Sequence, residues 1–206
     1  MCLIEDNEVA ITMPNQRTVQ FLSIRNHSIR ETGMVTTIYQ CFGLAAVTRG
    51  EILVSGRCFD TWSRNKCYWS IIERNGNVKL HHEFVSHYTS YVYAALDMSK
   101  SRVYLSVGGS NALHCFGLKD GKQYFVYSSN DLRYPMGVAV DRVDNIYGLG
   151  RKSNNIHKLS YDGLTLQIIT TGVPYQQTGI SFNSTMDHLV ITNGSETRKL
   201  HFFVNN

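Results

Sequence analysis

The chain has 206 residues, of which 43% are hydrophobic, 11% aromatic and 17% charged, with a formal net charge of +4. This composition describes a packed globular protein with enough length for one sizeable core, and it excludes a disordered or collagen-like chain. No run of about 18 apolar residues occurs, which excludes a helical membrane span, and so small a net charge selects no partner by itself.

The N-terminal MCLIEDNEVA carries acidic residues where a secretory signal would carry basic ones. Cys2, Cys41, Cys58, Cys67 and Cys115 are odd in number and scattered, which suits free thiols in a reducing, cytoplasmic setting. Cys58 and Cys67 flank FDTWSRNK and would form a disulfide only under oxidising conditions. The Asn-x-Ser/Thr triplets at 26, 183 and 193 read as chance in that setting.

Along the chain one pattern returns: a polar pair, alternating apolar residues, then a turn with Asn or Asp and usually Gly. It is seen in RTVQFLSIRN (17–26), KCYWSIIERNG (66–76), NALHCFGLKDG (111–121), NNIHKLSYDG (154–163) and RKLHFFVNN (198–206). A second pattern precedes it: FGLAAVTRGEILVS (42–55), YVYAALDMSKSRVYLS (91–106), MGVAVDRVDNIYGL (136–149) and TGISFNSTMDHLVIT (178–192). Gly76, Gly121 and Gly163 close three units at spacings of 45 and 42 residues. A period of about 40–50 residues with several short strands per unit is the signature of an all-β propeller with four-stranded blades. The expected blades are about 1–41, 42–90, 91–135, 136–178 and 179–206, within a single domain over 1–206. In the fourth, strands are expected at about 137–140, 145–149, 156–160 and 167–171, named a to d outward, with a tight Asp-Gly turn at 162–163. The fifth blade runs out after its third strand, and the N-terminus opens on an innermost strand. About five blades are therefore expected from a six-bladed ring lacking about one N-terminal blade.

Residues 133–163, RYPMGVAVDRVDNIYGLGRKSNNIHKLSYDG, resemble the NHL repeat: P-x-G-[IV]-A-V-D, then G-N-[IV]-Y-V, then N-[NRK]-[IV], then D-G. EDNEVAITMPNQRTVQFLSI and LVITNGSETRKLHFFVNN are similar to the C-terminal propellers of tripartite-motif-like (TRIM-NHL) proteins. The resemblance is strong at 133–163, fair at 1–55 and 178–206, and weak at 56–110. It departs at Gly148-Leu149-Gly150, where the family carries Val-x-Asp. Full members carry a RING finger, B-box and coiled coil and act as ubiquitin ligases. This chain has no paired C-x2-C spacing from which to build a zinc-binding RING.

Catalytic and metal sites are not expected. His81 and His82, with His87 the densest histidine cluster, are adjacent and would point to opposite faces of a strand. Asp141 and Asp144 sit in a turn, where Asp serves turn geometry. Calcium-dependent propeller hydrolases and lactonases need Glu, Asp and Asn around one ion at the inner blade ends. The innermost strands here, GLAAV, YAAL, GVAV and GISF, are small and apolar. No cofactor is expected, and the chain is read as not an enzyme.

Charge is more informative. The b–c loops hold Arg17, Arg57, Arg64, Lys66, Arg151, Lys152, Arg198 and Lys199 against Asp60 and Glu196, a balance of +6. The a–b turns hold eight acids against four bases, a balance of −4. Trp62, Phe59, Tyr91, Tyr134 and Tyr175 fall on the basic side. The expected ligand face is Arg17, Arg57, Trp62, Arg64, Lys66, Tyr134, Arg151, Lys152, Tyr175, Arg198 and Lys199, with the cations engaging phosphate or carboxylate and the rings stacking. The resemblance implies a recognition module for a protein partner, as the substrate-recognition part of a ubiquitin-ligase system. An RNA-binding regulator is the alternative and a calcium-dependent propeller hydrolase the third reading. The expected partner is thus a protein or RNA with an anionic surface, and no membrane.

Overall fold

Runs such as EILVSGR, RVYLSV and PMGVAV are apolar or small throughout, whereas VKLHHEFV and QYFVYS alternate. A strand covered on both faces needs the first pattern and a strand at a solvated edge the second. A computed structural model describes residues 1–58, 65–86, 91–172, 177–183, 185–193 and 200–204, with backbone alone at 193 and 200–204. Its strands follow this division. The first sheet contains β1 (Cys2–Glu5), β2 (Glu8–Met13), β3 (Thr18–Arg25) and β4 (Ser28–Thr36). The second contains β5 (Gln40–Ala46), β6 (Glu51–Arg57), β7 (Lys66–Glu73) and β8 (Val78–Val85). The third contains β9 (Val92–Leu96), β10 (Arg102–Val107), β11 (Ala112–Gly117) and β12 (Gln123–Ser128). The fourth contains β13 (Pro135–Val140), β14 (Ile146–Gly150), β15 (Asn155–Leu159) and β16 (Thr165–Thr170). The fifth contains β17 (Gln177–Phe182), β18 (His188–Asn193) and β19 (Leu200–Val204).

Each sheet is a meander in chain order. The last strands, β4, β8, β12 and β16, carry the exposed alternation, while β10, β11, β13 and β14 are almost wholly buried. These sheets make a β-propeller of about five blades, as the repeat period implies. Among the described residues no helix is long and apolar enough to cross a membrane. No disulfide joins Cys58 and Cys67.

The chain divides into two compact units, Met1–Ala94 and Ala95–Asn206. In the first, Val19, Phe21, Tyr39, Cys41, Ile52 and Val54 anchor one core. In the second, Tyr104, Leu113, Leu132 and Ile146 anchor one cluster, and Tyr147, Leu149, Ile156 and Ile191 another.

The turns follow the same repeat. At the end of strand a, Asp97 Oδ1 accepts the amides of Ser101 (2.7 Å) and Arg102 (2.9 Å). Asp141 Oδ1 accepts those of Val143 (3.0 Å) and Asn145 (2.8 Å), and Asn183 Oδ1 those of Asp187 (3.1 Å) and His188 (3.0 Å). A left-handed residue completes each turn: Lys100 (φ 53°), Asp144 (φ 63°) and Met186 (φ 56°). The Asp141 carboxylate serves its turn, as expected, whereas the Asp144 carboxylate reaches out of its turn to accept the Met98 amide at 2.9 Å. The c–d turns close on Gly76, Gly121 and Gly163 with φ of 92°, 64° and 88°, the conformation that glycine adopts without a Cβ clash. The departure at Gly148-Leu149-Gly150 also has a steric cause. A Cβ on Gly148 would lie 2.5 Å from Leu113 Cδ1, and one on Gly150 would lie 2.1 Å from Ser153 Oγ.

Close approach predicts a rank order. A Cβ on Gly56 would lie 1.9 Å from the Gln40 carbonyl oxygen, which is backbone, whereas Leu113 is a side chain that can shift. Gly56→Ala is expected to destabilise by about 3 kcal/mol and Gly148→Ala by about 1 kcal/mol. Urea midpoints of the two variants test this, and the reverse order would refute the packing account.

Candidate anion-binding loop cluster

The predicted ligand-face residues belong to both units, and each unit presents its own set. Trp62, Arg64, Tyr175, Arg198 and Lys199 lie outside the described residues. In the first unit, Arg17 is the exposed left-handed residue (φ 56°) that closes a 3-10 turn over Pro14–Gln16. Its carbonyl accepts Thr37 N (2.7 Å) and Thr37 Oγ1 (3.0 Å). Arg57 donates from Nε to Gln40 Oε1 (3.0 Å), and its guanidinium lies 5.6 Å from the Phe42 ring and 6.0 Å from the Tyr91 ring. Lys66 begins β7, and its ammonium is 2.7 Å from Glu83. The acids counted in the a–b turns are partly neutralised here. Glu8 takes both terminal nitrogens of Arg74 (2.6 and 2.7 Å), and Glu51 pairs with Lys79. An open cleft of about 630 Å³ beside Glu8 mixes Glu5, Asp6, Arg25, Arg49 and Arg74, so its charges largely answer one another.

The second unit brings Tyr134, Arg151 and Lys152 together. They sit on the 129–134 connection and the 150–155 loop, which are laced by backbone bonds: Arg151 N to Tyr134 O (3.2 Å) and Lys152 N to Arg133 O (3.0 Å). Tyr134 adopts φ 55°, and its amide donates to Asn111 Oδ1 at 2.7 Å. The Lys152 ammonium lies 4.6 Å from the Tyr134 ring centroid, within cation–π range. Arg151 is half-buried, whereas Lys152 and Arg133 are exposed.

From this surface a polar chain runs inward to the buried Asn155 and His157. Arg133 N donates to Ser153 Oγ (3.1 Å), which donates to Asn155 Oδ1 (2.6 Å). Asn155 Nδ2 donates to Asp131 O (2.8 Å) and reaches His157 Nε2 at 3.2 Å. Because the Asp131 carbonyl and the Ser153 hydroxyl orient the carboxamide, Nε2 accepts and Nδ1 carries the proton. Nδ1 meets Tyr127 OH at 2.7 Å. His157 is fully buried, and burial lowers its pKa against the opposing pull of the Asp131 carbonyl and carboxylate. Burial alone pushes His114, on β11, down to about 4.

The histidines singled out in the sequence divide as the strand period requires. His81 stacks on Tyr39 and Tyr68 and meets Ser70 Oγ at 2.8 Å, whereas His82 stacks on Trp69 on the opposite face. His87 lies outside the described residues. Among the described residues no three His, Cys, Asp or Glu side chains converge as a metal site.

Sequence reasoning missed Arg133 and the polar groups around it. Arg133 adjoins Tyr134, and Asn111 occupies the loop-closing left-handed position (φ 53°) that Arg17 and Asn154 take in other blades, so a signal was present.

No match was found among family models or curated proteins, so the NHL resemblance at 133–163 rests on its motif alone. Among solved structures the chain is similar to a functionally unknown protein from Desulfotomaculum acetoxidans DSM 771, with a TM-score of 0.71 at 10% identity over 100% of this chain. It is also similar to a candidate 6-phosphogluconolactonase from Bacteroides uniformis ATCC 8492, with a TM-score of 0.71 at 12% identity over 97% of this chain. The chain spans 64% of the length of each. At these identities the likeness is one of fold. It corrects one expectation, that the chain is not an enzyme: a candidate lactonase is built on the same frame. That expectation rested on small, apolar innermost strands and left the loops out of account.

Two neutral buried histidines set the sign of a pH effect. Both have folded pKa values below the ordinary value of about 6.5, so the unfolded chain takes up protons first. Their contribution to stability is complete above about pH 6.5 and is lost as pH falls below it. The melting temperature is expected to be lower at pH 5 than at pH 7, and His114→Phe to narrow the difference. Melting that does not change between those pH values would contradict the buried neutral state.

Proposed function

We propose that this chain is a binding module whose 129–134 and 150–155 segments accept an acidic segment of a protein partner. The observation that carries this reading is the preorganised cluster of Arg133, Tyr134, Arg151 and Lys152. Its backbone is held by hydrogen bonds to Asn111 and Ser153 and between its own two segments, so little backbone ordering remains to be met on binding. The NHL resemblance supports the same surface, since such domains are known as protein- or RNA-binding platforms, and it implies a substrate-recognition place in a ubiquitin-ligase system. A protein is favoured over RNA because the cluster has three cations and one ring, and Lys152 already lies over that ring. Nucleic-acid grooves commonly neutralise about 6–10 phosphates and offer open stacking faces.

Fluorescence anisotropy with a labelled acidic peptide tests the proposal. Arg151→Glu with Lys152→Glu is expected to weaken binding about ten-fold or more. An electrophoretic shift with single-stranded RNA at low salt that vanishes at high salt would transfer the surface to RNA. A charge-reversed double variant that binds the peptide as well as the parent would overturn both versions.

A second reading is favoured by one observation, the fold likeness to a candidate 6-phosphogluconolactonase. On that reading the loops serve hydrolysis of a phosphorylated sugar lactone. Opening of 6-phosphogluconolactone no faster than in buffer would count against it.

A further inference from the structure

Beside the cluster lies an open cleft of about 670 Å³ lined by Ser110, Asn111, Ser128, Ser129, Asn130 and Arg133. We infer that this cleft is a binding site for a phosphate monoester. Arg133 belongs to both surfaces, so the inference rests in part on the reading proposed above.

The free donors of its lining select such a ligand. Asn111 Oδ1 is consumed by the Tyr134 amide at 2.7 Å, which leaves the Asn111 NH2 for the cleft. Ser129 Oγ accepts the Asp131 amide at 3.2 Å, which leaves its hydroxyl hydrogen. Ser110 Oγ makes only a long 3.3 Å bond to Val107 O. The side chains of Ser128, Asn130 and Arg133 make no hydrogen bond among the described residues. The lining thus offers a guanidinium, two amide NH2 groups and the free hydroxyl hydrogens of Ser128 and Ser129, with no carboxylate among its members. Asp131, exposed in the same segment, turns its backbone into the Ser129 bond and is not part of the lining.

A donor-rich, carboxylate-free cleft selects an anion. A phosphate monoester fits better than a carboxylate because it presents three strong acceptor oxygens and close to two charges near neutral pH. One planar guanidinium takes two of those oxygens, and neutral donors take the third without further like-charge crowding. The cleft is polar throughout, so it binds the phosphoryl group rather than an apolar body. The geometry is preset: Asn111 and Tyr134 are both held in the left-handed region by the loop closure itself.

The phosphoryl group has two possible sources, a phosphorylated side chain of the partner or a small phosphorylated sugar. Isothermal titration of the whole chain separates them with four ligands: an acidic peptide carrying phosphoserine, its serine twin, glucose 6-phosphate and glucose. The phosphopeptide is expected to bind about ten-fold tighter than its twin, as charge-assisted hydrogen bonds imply. That ratio is expected to collapse in Arg133→Gln and to fall several-fold in Ser128→Ala, a smaller change that keeps the test open if the arginine variant unfolds. Arg151→Glu with Lys152→Glu is expected to weaken both peptides and leave their ratio intact. Equal binding of the two peptides, with no binding of glucose 6-phosphate, overturns the cleft and leaves the acidic-segment reading standing. Arg133-dependent binding of glucose 6-phosphate with neither peptide bound supports the cleft and overturns that reading. A phosphate preference that survives both Arg133→Gln and Ser128→Ala overturns the cleft assignment.

Discussion

A sheet buried on both faces has no polar surface of its own, and this constraint organises the molecule. The middle strands of each blade spend their backbone groups on ladder bonds and their side chains on packing, so polar chemistry moves to the connections. There, every amide and carbonyl needs a partner. Asn155 shows how economically this is met. Its carboxamide receives the Ser153 hydroxyl, donates to the Asp131 carbonyl and reaches the His157 ring, so one side chain at the start of β15 ties a b–c loop to a d–a connection. Thr37 and Thr171 do a simpler version of the same task, each donating amide and hydroxyl to the carbonyl of a left-handed loop residue, Arg17 and Asn154.

Local chemistry was the legible part of the fold. The unit at 136–171 shows strands within a residue or two of their expected places, and Gly76, Gly121 and Gly163 adopt the positive φ that their turns require. His81 and His82 separated by face because the period of a strand is two. What a single sequence concealed was contact across blades. Gly148 is glycine because of Leu113, thirty-five positions away, and nothing near it in the chain shows that. Asn111 reads as an ordinary turn residue until its carbonyl oxygen is found on the Tyr134 amide.

Charge counting by loop class was informative on one side and incomplete on the other. The a–b acids share their end of the blade with c–d bases. In the first unit, Arg74 and Lys79 come from the c–d end and close on Glu8 and Glu51. Arg74 also lies 5.2 Å from the Phe21 ring centroid, so it is held by packing as well as by charge. Lys66 likewise meets Glu83 across the β7–β8 pair. An excess of charge therefore marks a surface for binding only after cross-strand pairs are removed, and Arg133, Arg151 and Lys152 retain theirs.

The same accounting limits where any chemistry on this frame can reside. Asp97 and Asp141 are buried and hold their turns, and Tyr147 donates to Asp141 Oδ2 at 3.0 Å. Ser70 is buried between Tyr39 and His81, and Ser55 is closed onto the Val92 carbonyl. These strand groups are thus committed to structure. Folds of this kind carry unrelated activities by changing loops over a constant frame, and here the loops of the second unit, with Ser128 at the end of β12, supply solvent-facing donors. A ligand held there would meet Arg133, the amides of Asn111 and Asn130, and Ser128 at the end of β12. On the two proposals made here, binding and any reaction that follows it would draw on one donor set, and an anion would be the feature their ligands share.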